Sequence, residues 1–397
     1  MPRRLFVVPV LALVLVAAAF AAFAAGGDDS REASFNARGG GTAWEEVLRE
    51  ARGQTVRWWM FGGDDRINEY VDDQVVPAAR EHGVTLERVP VGDTADAVQR
   101  VVAQRRAGKR TGGAVDLIWI NGENFAAGKE AGLWLRDWAR SLPNAKLVDG
   151  ADPSVARDFG VAVDGQESPW SRAAFVFAHD RRRVAEPPQS FDELLAWARD
   201  HPGRLTYPAP PDFTGSAFVR QVVAVKGEDE AFRYLRELRP LLWRRGETLP
   251  KSEAELTRMF GDGQVDFAMS YDANFVSAGV RRGQMPGSTR PFVMRDGTLQ
   301  NVSFVTVPAD AAHQAGAKVV ADLLLDPRLQ AAKADPDVLG NPTVLDVDRL
   351  PDGARRRFAG ARSSVYLLED LGRPREELPA DEVPKLERRW VREILRG

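Results

Sequence analysis

The chain has 397 residues, no cysteine, and 54 basic against 57 acidic side chains, which gives a formal net charge of −3 at pH 7. Without cysteine, the sequence excludes disulfides, thiol catalysis, zinc bound by thiolates, and a lipid anchor attached to a cysteine. No basic stripe alternates with aromatic residues, so the sequence offers no support for nucleic-acid binding.

The N-terminus has the pattern of a secretory signal peptide. Arg3 and Arg4 precede an apolar stretch over residues 5–25 that ends in a cluster of small residues. We expect residues 1–25 to be removed and residues 26–43, rich in Gly, Ser and Asp, to form a flexible leader. An apolar stretch of about 20 residues is also just long enough to span a bilayer, so an uncleaved anchor helix is the alternative. Either way, the pattern predicts export across the cytoplasmic membrane to the periplasm or the exterior.

From about Trp44 onward, short apolar runs alternate with segments of helical spacing, which is typical of α/β proteins. The first part of the chain is predicted to contain strands at 55–61, 84–89 and 115–120, each followed by a helix, at 64–82, 93–107 and 125–131. The second part is predicted to contain strands at 173–178, 205–207, 265–271 and 301–307, with helices at 190–198, from Gly215, at 252–260, from Ala273 and at 313–325. Ser252 and Glu255 form a capping-box pair.

Several junctions between a strand and the next element combine aromatic and short polar residues. Loops at the carboxyl ends of strands gather where open α/β sheets bind ligands, and such mixtures are typical of small-molecule pockets. The candidate ligand-binding residues are therefore Trp59, Gly62, Gly63, Asp64, Asn121, Glu123, Asn124, Trp170, Asp212, Phe213, Thr214, Gly215, Ser216, Tyr271 and Asp272.

Some of these residues also have purely structural interpretations. Side chains alternate along a strand, so Trp58 and Trp59 face opposite sides and one of them belongs to the core. Asp64 and Asp65 have the character of helix caps, and Gly122 has that of a turn.

Catalysis has little support in the sequence. The four histidines are far apart, and no nucleophile elbow, zinc-protease motif or phosphate-binding loop occurs. We therefore expect a binding protein without catalytic residues, metal or cofactor. Since 57 carboxylates guarantee some close pairs, a secreted hydrolase remains the alternative from another class.

The sequence resembles the extracytoplasmic solute-binding proteins of ABC importers, and most closely the YnjB-like subfamily. The resemblance rests on W-W-M-F-G-G-D-D-R-I-N-E-Y and D-L-I-W-I-N-G-E-N-F, supported by P-D-F-T-G-S-A-F and D-F-A-M-S-Y-D. It implies a type II periplasmic-binding fold, with two α/β lobes joined by crossover strands around a ligand cleft. The first lobe would hold 44–165 and about 300–335, and the second 166–299 and about 336–397. It also implies a small-molecule ligand, a membrane permease as partner, and a monomer.

The resemblance leaves the ligand open, because the superfamily includes binders of thiamine, polyamines, iron and oxyanions. Iron binders of the superfamily use paired tyrosines, and no two of the five tyrosines here are adjacent. Carboxylates beside aromatic residues, among them Trp119, favour an organic cation such as thiamine or a polyamine. An oxyanion site at the helix start Thr214-Gly215-Ser216 is the alternative. A sensory binding protein would have the same sequence features.

Overall fold

The computed structural model describes residues 40–358, 365–366, 368 and 371–397, so the predicted signal peptide and most of the predicted leader lie outside the described residues. The helices are α1 (Gly40–Ala51), α2 (Asp65–Tyr70), α3 (Val76–Glu81), α4 (Thr94–Arg106), α5 (Gly122–Glu130), α6 (Phe191–Asp200), α7 (Phe213–Lys226), α8 (Glu228–Leu238), α9 (Glu253–Gly261), α10 (Phe275–Arg281), α11 (Gln314–Leu323), α12 (Pro327–Ala334), α13 (Asp352–Phe358) and α14 (Val383–Trp390). A π-helical segment, Val71–Val75, connects α2 to α3, and a second one, Val391–Leu395, continues α14.

The strands are β1 (Thr55–Phe61), β2 (Thr85–Val91), β3 (Leu117–Ile120), β4 (Arg157–Asp158), β5 (Val161–Ala162), β6 (Glu167–Ala174), β7 (Val176–Asp180), β8 (Phe267–Ser270), β9 (Thr289–Phe292), β10 (Thr298–Thr306) and β11 (Pro374–Arg375). Within the described residues, a six-stranded sheet has the order β11-β10-β3-β1-β2, with β6 also paired to β10. Strands β1, β2 and β3 are parallel, whereas β10 runs antiparallel to β3 and β6. A second, antiparallel sheet has the order β8-β7-β9.

The buried apolar side chains form two large cores. The first core gathers residues 51–170 and 302–350, and the second gathers 174–299 and 386–394. We call the parts of the chain around them the first and the second lobe. Strands β6 and β10 pass between the lobes, because Trp170 and Val302 lie in the first core while Ala174 and Leu299 lie in the second.

The packing of residues 336–350 differs from the division expected from the sequence, which assigned them to the second lobe. Val344 and Leu345 are buried in the first core. The side chain of Gln330 in α12 accepts hydrogen bonds from Thr343 Oγ1 at 2.7 Å and from the Val344 N–H at 3.3 Å. These contacts draw the segment back onto α12 and therefore onto the first lobe.

Three other local expectations also differ from the structure. Residues 205–207 form no strand, and the Leu205 carbonyl instead accepts a hydrogen bond from the Trp243 N–H at 2.8 Å. The single strand expected at 173–178 is divided at Phe175 between β6 and β7, which belong to different sheets. Helix α1 begins at Gly40, four residues before the expected start of order.

Every helix in the described ranges is too short or too polar to cross a membrane.

Candidate functional site

Asp64 and Asp272, two of the predicted ligand carboxylates, share one buried arginine. Asp64 caps α2 and accepts a hydrogen bond from the Arg66 N–H at 2.8 Å. The Arg66 guanidinium pairs with Asp64 at 3.0 Å and with Asp272, and it also donates to the Leu339 carbonyl at 3.0 Å. Burial alone would lower the pKa of Arg66, but Asp272 and Asp64 outweigh it and raise that pKa, so the guanidinium stays charged. We call Asp64, Arg66 and Asp272 the arginine cluster; it links the first lobe to the second.

Glu123 stands in the first turn of α5, directly after β3, where the sequence analysis placed it. Burial is the main cause that raises its pKa to about 7, and the charges of Glu387 and Asp93 act in the same direction. The N–H of the preceding residue, Gly122, donates to the buried Asp158 carboxylate at 2.7 Å. Gly122 has a φ of +59°, and a Cβ atom there would lie 2.8 Å from the Phe159 ring, so the turn requires glycine.

The second lobe faces this turn with a buried network on α7. Arg220 is fully buried and pairs with Glu377, with 2.7 Å between Nε and Oε2. Tyr271 donates its hydroxyl to the same carboxylate at 2.7 Å. Ser216 accepts a hydrogen bond from Arg220 at 2.8 Å and donates one to Glu387 at 2.6 Å. The positive charge of Arg220 is therefore already matched by Glu377.

The charges around Glu123 and Glu387 do not balance. Both carboxyl groups have raised pKa values, caused first by burial and further by the charge of Asp93. Arg220 lowers both pKa values, but it is committed to Glu377, and the exposed Arg388 lowers the pKa of Glu387. We call Asp93, Glu123 and Glu387 the carboxylate cluster. Asp93, the exposed cap of α4, and Glu123, in the first turn of α5, belong to the first lobe, whereas Glu387 belongs to α14 of the second.

Aromatic surface lies beside the carboxylate cluster. The Phe213 ring is 47% exposed, and its centre lies 5.3 Å from that of Tyr271 and 5.2 Å from the Arg220 guanidinium carbon. The centre of the Phe159 ring lies 5.6 Å from the same guanidinium carbon. Phe213 therefore presents an open aromatic face at the place where the lobes meet.

The tryptophans divide between the core and the half-buried surface. Trp58 is fully buried and Trp59 half-buried, as the alternation along β1 predicted. Trp170, predicted to bind ligand, is instead fully buried in the first core, with its ring centre 5.7 Å from Trp58 and 5.0 Å from the half-buried Trp119. The Trp170 prediction is corrected on this point, because β6 turns its ring into the core between these two neighbours.

The start of α7 is occupied by the chain's own acidic groups. Asp212 accepts a hydrogen bond from the Gly215 N–H at 2.9 Å, and Thr214 donates its hydroxyl to Glu253. Burial raises the pKa of Glu253 to about 7. A Cβ atom at Gly215 would lie 2.0 Å from the Pro208 carbonyl oxygen, so this glycine serves close packing. The N–H group that an oxyanion would need is already used by Asp212.

The remaining candidates lie on the first lobe. A Cβ atom at Gly62 would lie 2.5 Å from Pro90 Cβ, and one at Gly63 would lie 2.4 Å from the Phe61 ring. Asn121 donates its side-chain amide to the Val302 carbonyl at 2.7 Å and so ties the loop to β10. Asn124 is half-buried, one residue after Glu123. The two glycines and Asn121 therefore shape the loops.

Comparison with known proteins identifies the family. Residues 73–354 match the bacterial extracellular solute-binding proteins. The chain belongs to this family. This solute-binding protein is 39% identical over 366 residues to protein YnjB of Escherichia coli strain K12, which covers 88% of this chain and 93% of YnjB. Proteins of this family are extracytoplasmic, bind small ligands and work with the membrane permeases of ABC importers.

Similarity to solved structures identifies the fold class. The periplasmic binding protein AfuA from Actinobacillus pleuropneumoniae, with fructose-6-phosphate bound, matches with a TM-score of 0.60 and 14% identity over 86% of this chain and 98% of AfuA. A putative spermidine/putrescine ABC transporter protein from Listeria monocytogenes matches with a TM-score of 0.60 and 13% identity over 85% and 98% of the two chains. The solute-binding protein therefore has the type II periplasmic-binding fold, and the predicted fold class is confirmed.

Sequence reasoning missed three groups of the solute-binding protein that act on the pKa of Glu123, namely Asp93, Arg220 and Glu387, and it missed Asp158, which accepts a hydrogen bond from the neighbouring Gly122. Asp93 was expected only as the start of a helix, and Asp158, Arg220 and Glu387 were not singled out. Arg220 and Glu387 lie inside helices among many other charged residues, where nothing local separates a buried charge from a solvated one. The one signal for Asp93 was its position after a strand, which it shares with Asp64.

Proposed function

We propose that this solute-binding protein captures a small organic cation between its two lobes and delivers it to an ABC permease. The observation that carries the proposal is the carboxylate cluster, in which Asp93 and Glu387 raise the pKa of the half-buried Glu123 while the buried Arg220 is paired with Glu377. Buried carboxylates without a matching cation are costly. A cationic ligand would supply the missing charge.

The aromatic surface supports a cation with an apolar or extended body. A cation stacked on an exposed ring such as Phe213 gains about 0.5 to 2 kcal/mol from the ring. Thiamine, which combines a cationic ring with an extended body, is the leading candidate and polyamines come next. The structural neighbour from Listeria monocytogenes is named as a spermidine/putrescine ABC transporter.

The capture step that we infer is a closure of the lobes. Strands β6 and β10 connect the two cores, so a rotation about them would separate Glu123 from Glu387. A ligand that contacts both lobes shifts the population toward the closed form, without chemistry on the ligand. We infer that the protein is a monomer and not an enzyme.

The prediction that the protein is exported depends on residues 1–25, which have the pattern of a signal peptide. We infer that this segment is cleaved, so that the mature chain begins near Gly26 and is soluble without detergent. N-terminal sequencing of the exported protein tests this inference. An intact N-terminus would favour the anchor helix instead.

The ligand is tested by calorimetric titration of the chain that begins at Gly26 with thiamine, spermidine, sulfate and phosphate. We expect a cation to bind, and we expect Glu123→Gln and Glu387→Gln each to weaken that binding by on the order of 3 kcal/mol, since each removes one partner of a buried charge pair. Glu130→Gln, an exposed residue on the same helix as Glu123, is the matched control and leaves the affinity unchanged. Tight binding of sulfate or phosphate in the cleft, without binding of the cations, would establish the oxyanion alternative instead.

A further inference from the structure

The second lobe contains a cavity that has no part in the cleft. Its volume is about 360 Å³, and its lining residues are Arg181, Arg182, Gly287, Ser288 and Arg290. Arg181 and Arg182 follow β7, Gly287 and Ser288 precede β9, and Arg290 is the second residue of β9. None of the five belongs to the arginine cluster or to the carboxylate cluster.

The frame of the cavity follows from the pairing of β7 with β9. Asp180, the last residue of β7, lies opposite Thr289, and the Arg181 N–H donates to the Ser288 carbonyl at 3.2 Å. The Asp180 carboxylate accepts hydrogen bonds from Ser288 Oγ at 2.6 Å and from the Arg182 N–H at 3.0 Å. Its other oxygen accepts from Arg183 Nε at 3.2 Å. The Asp180 carboxylate is thus used to hold the two turns together.

The three arginines of the cavity differ from their neighbour Arg183 in the sequence. Arg183 is paired with Asp180 and Asp266. The side chains of Arg181 and Arg182 are exposed and form no ion pair or hydrogen bond with any residue that the structure describes. Their charges are therefore available to an anion.

Arg290 is held in place by neutral groups. Its Nη1 donates to the Gly287 carbonyl at 3.1 Å and to the Thr289 carbonyl at 2.6 Å. Its guanidinium carbon lies 5.2 Å from the centre of the Tyr366 ring. A guanidinium fixed by carbonyls and an aromatic ring keeps its full charge, and little conformational entropy remains to be lost when it binds.

We infer that this cavity is a second ligand site, for a phosphate-bearing anion, with the phosphate gripped by Arg181, Arg182 and Arg290. Guanidinium groups match the geometry of phosphate oxygens and form short, charge-assisted hydrogen bonds with them. The volume of about 360 Å³ fits a small phosphorylated molecule, because small-molecule sites start at roughly 300 Å³. The phosphate belongs either to a soluble ester or to a lipid headgroup.

The test is calorimetric titration of the chain from Gly26 with pyrophosphate at low ionic strength, and sedimentation with vesicles of phosphatidylglycerol or of phosphatidylcholine. Arg182→Gln/Arg290→Gln is expected to weaken binding at least about tenfold for each guanidinium removed. Arg181→Gln/Arg182→Gln changes only exposed side chains, so its fold is secure and it keeps the test valid if the first variant unfolds. Arg136→Gln/Arg392→Gln, two exposed arginines elsewhere, and Glu123→Gln in the cleft are the controls.

Pyrophosphate binding that both cavity variants lose and the controls keep supports a soluble ester. Binding only to phosphatidylglycerol vesicles, lost in the same variants, supports a lipid headgroup. If neither probe binds, or if the cavity variants bind as the native chain does, the site does not exist.

Discussion

The two acidic clusters between the lobes have similar origins and different charge balance. Each takes a carboxylate from the junction that follows a strand of the first lobe, and each combines it with a carboxylate of the second lobe. In the arginine cluster, Arg66 pairs with both Asp64 and Asp272 and offsets one of their two negative charges. In the carboxylate cluster, the buried Arg220 is paired with Glu377, which leaves Glu123 and Glu387 without a cation of their own.

We propose that this difference separates a structural contact from a binding site. A buried ion pair that the chain completes by itself joins the lobes whether or not a ligand is present. A group of carboxylates that the chain leaves incomplete favours a ligand that completes it. We therefore propose that Asp64 and Asp272, which were predicted to bind ligand, join the lobes, and Glu123 carries the cation proposal.

The largest expected effect is loss of stability when the arginine cluster is broken. Asp272→Asn leaves the buried Arg66 guanidinium with only Asp64, so we expect the free energy of unfolding to fall by up to about 3 kcal/mol. Burial raises the pKa of Asp272 in spite of Arg66, and this cost of ionisation offsets part of the loss. Urea denaturation measures this change. Asp65→Asn is the matched control, since this carboxylate is 78% exposed and lies 3.7 Å from Arg282, and an exposed pair contributes no more than about 1 kcal/mol. Equal effects of the two variants would contradict the distinction between buried and exposed pairs.

In the free protein, the carboxylate cluster is expected to lower the free energy of unfolding, whereas the arginine cluster raises it. The pKa of Glu123 is about 7 against an ordinary value of 4.5, so the folded state holds this proton more tightly than the unfolded state. The free-energy cost of ionising Glu123 in the folded protein is absent below its ordinary pKa, grows as pH rises, and is complete above pH 7.

Glu123→Gln removes this penalty. At pH 8 it should raise the free energy of unfolding by on the order of 2 kcal/mol, and at pH 5 it should change little, because Glu123 is then protonated in the folded protein. Urea denaturation at both pH values checks this. A destabilised Glu123→Gln variant at pH 8 would mean that Glu123 already has a cationic partner in the free protein.

The next effect concerns binding. A cation needs Glu123 ionised, so below pH 7 its affinity should fall by up to about tenfold per pH unit, with release of a proton on binding. Calorimetry in two buffers of different ionisation enthalpy measures the released proton. In Glu123→Gln the pH dependence should flatten. An affinity that rises as pH falls would instead indicate an anionic ligand.

The smallest effect concerns the aromatic face. Phe213→Ala should weaken cation binding by about 1 kcal/mol, because one exposed ring is lost while the charges remain. Phe61→Ala, which changes an exposed ring at the end of β1, is the control. Fluorescence titration of both variants compares the two rings. An unchanged affinity in Phe213→Ala would place the ligand away from α7.

Local features of the fold were predictable wherever neighbouring residues decide the outcome. Ser190, Ser252 and Asp93 cap helices as expected, since a cap needs only a side-chain oxygen and the N–H groups two or three residues later. Strand β1 was predicted with its bounds, because its alternation and the two glycines after it are local signals. The strand expected at 205–207 was wrong, because three apolar or β-favouring residues do not say whether a neighbouring strand exists to pair with them.

The sequence by itself determined the α/β alternation, the family, and the junctions after β1 and β3 at which Asp64 and Glu123 lie. Only the tertiary structure decided that Arg66 compensates Asp272, 206 residues away, and that Arg220 compensates Glu377, 157 residues away. It also decided that Ser216 meets Glu387 and that Trp170 belongs to the core. The physical reason is that the charge balance of a buried group depends on which distant side chains are packed against it. The spacing of residues along the chain does not predict which distant side chains those are.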